Sequence, residues 1–220
     1  MKKVTIICDF DGTITKQDNI VAIMKKFAPP EWEKIKDDVL SEKISIRQGV
    51  GKMFSLLPSH YNYKIIEYIL STAEIREGFE QFVQYAKRES IPFYIVSGGM
   101  DFFVKPLVKH LVNENVIFCN EADFSGDFIE IKWPYSCDEN CSNDCGCCKP
   151  SIIRKITTKE DYVVVIGDSI TDLKAAQCAD FVFARDLLLE KCMEYNLPHQ
   201  PFDTFDDIIQ HLNQLKEVSV

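Results

Sequence analysis

No stretch of this chain approaches the roughly 18 consecutive apolar residues of a membrane-spanning helix, and 25 basic residues are outnumbered by 34 acidic ones, for a formal net charge of −9. The first absence excludes a helical membrane protein. The second argues against nucleic acid as a partner, because phosphate backbones are gripped by clustered Lys and Arg. It leaves a small anionic substrate open, since the local field at a site decides binding rather than the overall sum. Internal repeats and low-complexity segments are also missing. The first apolar run begins at Val4, which leaves no room ahead of it for a secretory signal, so a cytoplasmic location is expected. Cysteine, by contrast, is plentiful: nine in all, five of them (Cys137, Cys141, Cys145, Cys147 and Cys148) in one short segment. In a reducing compartment that argues against a disulfide framework and keeps metal binding open.

A chain of 220 residues, 46% apolar, can bury one core with an insertion, or two small ones. Short apolar runs at 4–8, 92–96, 115–119, 162–166 and 180–183 read as strands. Helical patterns at 77–90, 101–112, 150–157 and 172–178 alternate with them. That alternation predicts a doubly wound parallel α/β sheet with right-handed crossovers. About 80 residues separate the first two strands, far more than a crossover needs. There, 18–72 reads as several helices broken at Pro29, Pro30 and Pro58, with Ile20, Ile23, Met24 and Phe27 at helical spacing. The expected division is a core of 1–15 and 73–220 and a helical cap of 16–72. Within the core, 121–148 is expected to be a hairpin, from the alternating DFIEIKW of 127–133, followed by a Cys-rich loop.

The chemistry is carried by four short motifs. Asp9-Phe10-Asp11-Gly12-Thr13 follows the buried run 4–8, which puts Asp9 at the carboxyl end of a strand, where open α/β sheets bind ligands. Asp11 points the same way if the chain stays extended. Two carboxylates so close call for a cation or a proton, although Asp-Gly is also a common turn pair. Ser97-Gly98-Gly99, ahead of a helix, suits a phosphate cradle or a plain cap. Lys149, before Pro150, either neutralises a phosphoryl group and a carboxylate or is solvated. Asp168 ends a strand as Asp9 does, so the two can share one cation, with Asp172 four residues later. Oxygen-only ligands suit Mg²⁺, and a helix N-cap is the plainer use of such an Asp.

These four motifs, in this order, resemble the haloacid dehalogenase superfamily of phosphohydrolases, in its phosphoserine phosphatase-like branch, and the likeness covers nearly the whole chain. The resemblance implies Asp9 as the nucleophile, Asp11 as the general acid and base, Lys149 as the balancing cation, and Ser97 and Gly98 as phosphate ligands. It also implies Mg²⁺ held by Asp9, the Asp11 carbonyl and Asp168, with Asp172 in support, and a small phosphate ester as substrate. Specificity would then lie in the cap, with Asp18, Leu40, Ile46 and Met53 as pocket residues. Phosphoserine phosphatases place a carboxylate-gripping Arg where this chain has Met53, with Arg47 and Lys52 nearby. Residues 7–15, 27–32, 96–103 and 141–150 are similar to a narrower family, the methionine-salvage phosphatases of bacilli, whose thioether-bearing substrate suits an apolar pocket. Phosphoserine or phosphocholine/phosphoethanolamine phosphatases are the alternatives, and a non-catalytic phosphate- or metal-binding protein a third. The Cys spacing supplies enough thiolates for a structural Zn²⁺ but lacks paired C-x₂-C knuckles. Zinc and free or partly disulfide-linked thiols therefore both stay open, and nothing in the sequence marks a dimer face.

Overall fold

Successive side chains of a strand leave the backbone in opposite directions, and in the computed structural model both directions are buried. Ile6 joins an apolar cluster on one face of the sheet, and Ile7 joins another on the opposite face. The structure describes residues 3–218. Seven strands, β1 (Lys3–Cys8), β2 (Phe93–Met100), β3 (Ile117–Asp123), β4 (Glu130–Lys132), β5 (Asp161–Gly167), β6 (Phe181–Ala184) and β7 (His199–Pro201), form one sheet in the order β4-β3-β2-β1-β5-β6-β7. All neighbours pair in parallel except β3 with β4. The expected doubly wound sheet is present, and all five expected strands form.

The long gap after β1 opens with four helices, α1 (Asn19–Phe27), α2 (Glu31–Leu40), α3 (Ile46–Phe54) and α4 (Asn62–Thr72). Local chemistry sets their starts. The Asp18 carboxylate accepts from the Val21 amide at 2.9 Å to open α1. A reciprocal capping box between Ser45 and Gln48 opens α3. Their apolar faces join the sheet's larger cluster without a break: Ile23, Met24, Phe54, Ile65 and Ile69 pack in the group that contains Ile6, Phe10 and Phe103. At its base the insert is pinched by a Thr15–Ile75 bridge and a Lys16 amide bond to the Glu74 carbonyl (2.9 Å).

Six more helices complete the layers: α5 (Phe79–Arg88), α6 (Asp101–Val108), α7 (Lys149–Ile156), α8 (Leu173–Ala176), α9 (Asp186–Glu194) and α10 (Phe205–Val218). The helix expected over 172–178 is shorter, because Ile170–Asp172 is a 3-10 turn that precedes the four residues of α8. The hairpin is made by β3 and β4. Asp127 and Phe128 leave the ladder to meet the insert, where the Ser59 amide donates to the Asp127 carbonyl and Pro58 bridges Phe128. Among the described residues no helix is long and apolar enough to cross a membrane.

Candidate active site

Strand order runs outward in both directions from β1 and β5, the topological switch point at which open α/β sheets bind ligands. Asp9 and Asp168 are the first residues past those two strands. The Asp9 amide still bonds the Ile166 carbonyl at 2.9 Å, which fixes where its side chain starts. Lys149, in the first turn of α7, reaches between the strands. Its Nζ lies 2.6 Å from Asp9 Oδ1 and 2.6 Å from Asp172 Oδ1, with none of the three side chains more than 7% exposed. The other Asp172 oxygen accepts from the amides of Asp168 (3.2 Å) and Ser169 (3.1 Å). Both Asp172 oxygens are thus engaged in holding the lysine and the Asp168 loop. Thr13 Oγ1 donates to Asp168 Oδ1 at 3.0 Å.

Two glycines make this crowding possible. Gly12 adopts φ +84°, and a Cβ there would run into the Asp168 carboxylate. At Gly167 a Cβ would stand 2.6 Å from Asp172 Cγ.

One oxygen each from Asp9, Asp168 and Asp172 lies within 4.8 Å of the others, and one lysine cannot balance three carboxylates. Burial pushes Asp9 up to about 7 against the pull of Lys149, with Asp172 adding to the rise. Burial, then Asp9 and Asp172, push Asp168 up to about 8. Burial works against the Lys149 charge, yet Asp172 and Asp9 outweigh it and hold its pKa above the ordinary value. A hard cation relieves this excess of negative charge, and an all-oxygen donor set is what Mg²⁺ prefers. The residues present therefore fit that ion.

Asp11 does not point the way Asp9 does. The chain turns after Phe10 rather than staying extended, and Asp11 stands outside the carboxylate cluster. Its Oδ1 accepts from the Asn19 amide (3.1 Å) and Asn19 Nδ2 (2.7 Å), and its Oδ2 accepts from Ser97 Oγ (3.3 Å). Burial, then the charges of Asp18 and Asp9, raise its pKa well above the usual carboxylate range, against the pull of Asn19. The environment divides the two neighbouring aspartates: one is tied to a cation, the other to neutral donors. Ser97 and Gly98 lie where the β2–β3 register shifts between Val96 and Met100. Asn120 Nδ2 holds the Gly98 carbonyl at 2.8 Å, and the space beside the Gly98 Cα is open.

Three supporting residues carry no sequence signal as single polar positions. Asn19 holds Asp11, and Asn120 holds the bulge. Buried Arg76 donates to the carbonyls of Gly12 (2.6 Å) and Thr13 (2.7 Å), so it fixes the turn that follows Asp11.

The expected pocket residues fare less well. Leu40 is 67% exposed at the end of α2 and faces solvent. Asp18 is spent as the cap of α1. Met53 is buried in the large apolar cluster and Ile46 packs against it, so both serve helix packing. Arg47 pairs with Asp144 at 3.4 Å and lies over the Trp133 ring, while Lys52 is exposed. The five clustered cysteines also separate. Cys147 points into the apolar cluster on the opposite sheet face, its Sγ toward the Phe118 carbonyl, whereas the sulfurs of Cys137, Cys141, Cys145 and Cys148 converge.

A doubly wound sheet with a charged switch point of this kind defines a class: an α/β protein with a cluster of carboxylates at its strand ends that could hold a metal ion. Within that class the chain belongs to the haloacid dehalogenase-like hydrolases, whose family model matches residues 6–177. It is similar, at 57% identity over 218 residues and 99% of both chains, to the 2-hydroxy-3-keto-5-methylthiopentenyl-1-phosphate phosphatase of Geobacillus thermodenitrificans. The enzyme of that name from Bacillus pumilus is 54% identical, over 99% of this chain and 94% of its own. In fold the chain resembles a substrate-bound phosphoserine phosphatase, with a TM-score of 0.72 at 22% identity over 96% of this chain and 99% of that one.

Proposed function

We propose that this chain is a phosphatase that releases inorganic phosphate from 2-hydroxy-3-keto-5-methylthiopentenyl-1-phosphate, with Asp9 as nucleophile and the enediol 1,2-dihydroxy-3-keto-5-methylthiopentene as the other product. The observation that carries the reaction is the meeting of Asp9, Asp168 and Lys149 at the switch point, with Asp11 held apart by Asn19 and Ser97. The substrate rests on full-length relatives of that name at more than half identity.

Phosphatases of this family use Mg²⁺. Asp9, Asp168 and the Asp11 carbonyl would hold it here, and when bound it offsets the charge of the phosphate dianion. Asp9 attacks phosphorus in line and takes the phosphoryl group as an aspartyl-phosphate. Lys149 keeps the attacking carboxylate ionised and then faces the transferred oxygens. Asp11 gives its proton to the leaving oxygen, and as a carboxylate it then draws a proton from the water that hydrolyses the acyl phosphate. Ser97 and the amides of the bulge bind the phosphoryl oxygens. Residues 16–72 act as the cap that covers the leaving group, hinged where Thr15 meets Ile75.

Phosphoserine is the runner-up substrate, and the cap weighs against it: Met53 stands in for the carboxylate-gripping Arg, and Arg47 is engaged by Asp144. Phosphate release from a panel of esters, with Mg²⁺ and with EDTA, tests the proposal. The expected result is a catalytic efficiency for the methylthiopentenyl ester at least ~10²-fold above those for phosphoserine, phosphocholine and phosphoethanolamine, abolished by EDTA. Equal or better turnover of phosphoserine overturns the substrate.

A further inference from the structure

Residues 136–146 read Ser-Cys-Asp-Glu-Asn-Cys-Ser-Asn-Asp-Cys-Gly. Apart from its cysteines the segment has no apolar side chain to bury, and it holds no helix or strand, yet it is folded against the molecule. Its polar side chains Glu139, Asn140, Ser142 and Asn143 are exposed, while the cysteines between them turn inward. Hydrophobic burial cannot account for that order, and a chain segment this polar stays disordered unless something else holds it.

The sulfurs supply the alternative. Those of Cys137, Cys141, Cys145 and Cys148 all lie within 4.8 Å of one another, and the Cys141 and Cys145 sulfurs are 4.0 Å apart. A tetrahedral site with metal–sulfur bonds of about 2.3 Å has sulfur–sulfur edges of about 3.8 Å. No sulfur–sulfur distance among the four therefore exceeds that edge by more than about an ångström. Two hydrogen bonds already point at the sulfurs: the Cys145 amide donates to Cys137 Sγ (3.4 Å), and the Ser151 hydroxyl to Cys148 Sγ (2.9 Å). Donors aimed at sulfur are the outer shell that metal-bound thiolates keep. The fifth cysteine of the segment, Cys147, is turned away into the apolar core, so the fold selects four of five.

We propose that Cys137, Cys141, Cys145 and Cys148 form a structural tetrathiolate site for one Zn²⁺. Four thiols bind the metal as thiolates and release their protons to solvent. The coordination sphere is closed, so the ion takes no part in the hydrolytic chemistry. Its role is positional, because the loop it orders touches both halves of the catalytic apparatus. Cys148 directly precedes Lys149, whose Nζ contacts Asp9. Asp144, between two ligands, accepts from Ser45 Oγ at 2.6 Å and pairs with Arg47 at the start of α3. Asp138, next to another ligand, is clamped by Arg154 of α7. Zinc thus ties the helical insert to the turn that bears the lysine. The proposal stands on the sulfur geometry and not on the identity of the phosphate ester.

The test is metal analysis of the full-length chain purified under reductant without chelator, with thiol titration before and after denaturation. About one zinc per chain is expected, with Cys137, Cys141, Cys145 and Cys148 gaining reactivity when the metal is stripped from the folded protein, whereas the buried Cys8, Cys119, Cys147 and Cys192 react only on unfolding. The double variant Cys141→Ser/Cys145→Ser should bring zinc below about a tenth of an equivalent. Because that variant could fail to fold, Co²⁺ is also exchanged into the wild-type chain. Sulfur-to-cobalt charge-transfer bands together with intense tetrahedral d–d bands are expected, and the oxygen-ligated site at Asp9 cannot produce them. A stripped, reduced, folded chain that binds neither Zn²⁺ nor Co²⁺ at these sulfurs overturns the proposal. So does mass spectrometry showing the four cysteines joined as disulfides in the active protein.

Discussion

Replacing Asp9 by Asn should make the metal-free protein more stable while abolishing turnover. In the fold the Asp9 carboxyl is pushed from its ordinary 3.8 up to about 7. The folded state therefore holds a proton that the unfolded state releases, and stability falls as pH rises from about 4 to about 7. Each unit corresponds to about 1.4 kcal/mol, so the full penalty above pH 7 is about 4 kcal/mol. Roughly 2 kcal/mol of it accrues between about pH 5.5 and about pH 8. Asn carries no such penalty at either pH. Thermal melts in EDTA should accordingly show the advantage of Asp9→Asn widening over that interval, by ~4–8 °C for a chain of this size. Added Mg²⁺ should reverse the order, because wild type gains a ligand that the amide holds poorly. If the variant melts lower than wild type by the same margin at both pH values, Asp9 is an ordinary ionised partner of Lys149, and the reasoning that burial protonates it is wrong.

Lys149→Met removes the cation between Asp9 and Asp172. It should cost about 3–5 kcal/mol in a denaturant titration near neutral pH, less in acid, where the carboxylates take up protons instead. Asp11→Asn should, by the same linkage, melt above wild type in EDTA at neutral pH, because burial holds the Asp11 carboxyl well above the usual range, while kcat falls by about 10²–10⁴-fold, with phosphoenzyme accumulating if the second step depends on the base. Asn19→Ala should lower kcat by ~10-fold with KM within about twofold, since Asn19 orients Asp11 and has no assigned contact with substrate. An effect confined to KM would move it into the substrate pocket.

The sheet and the meeting of Asp9, Asp168 and Lys149 at its strand ends were legible in the sequence because each strand that carries a motif is a short, doubly buried apolar run. Its end is marked by Asp or Gly, as at 4–8 before Asp9 and 162–166 before Gly167 and Asp168. The chain beyond residue 184 was not legible: β7 is three residues at an edge that includes Pro201, and α9 and α10 lie past the last motif. The direction of Asp11 was missed because it depends on Gly12 at positive φ and on carbonyl contacts from Arg76, a residue 64 positions from Gly12. Pocket residues in the helical insert were not legible for a related reason. Apolar residues at helical spacing do not reveal which of them face a pocket, and Leu40 faces solvent while Met53 faces the core. In the Cys-rich loop spacing alone left zinc and free or partly disulfide-linked thiols open, and only the fold could turn Cys147 away from the other four.

Every catalytic role assigned here depends on Asp9 carrying the phosphoryl group during turnover. Rapid acid quench of the steady-state reaction, borohydride reduction and peptide mass spectrometry probe that step, because reduction converts an aspartyl-phosphate into homoserine. Homoserine is expected at position 9, dependent on Mg²⁺ and substrate, with none in Asp9→Asn. Turnover that continues in Asp9→Asn, or a reduced acyl group at a different residue, would refute the role of Asp9 as nucleophile.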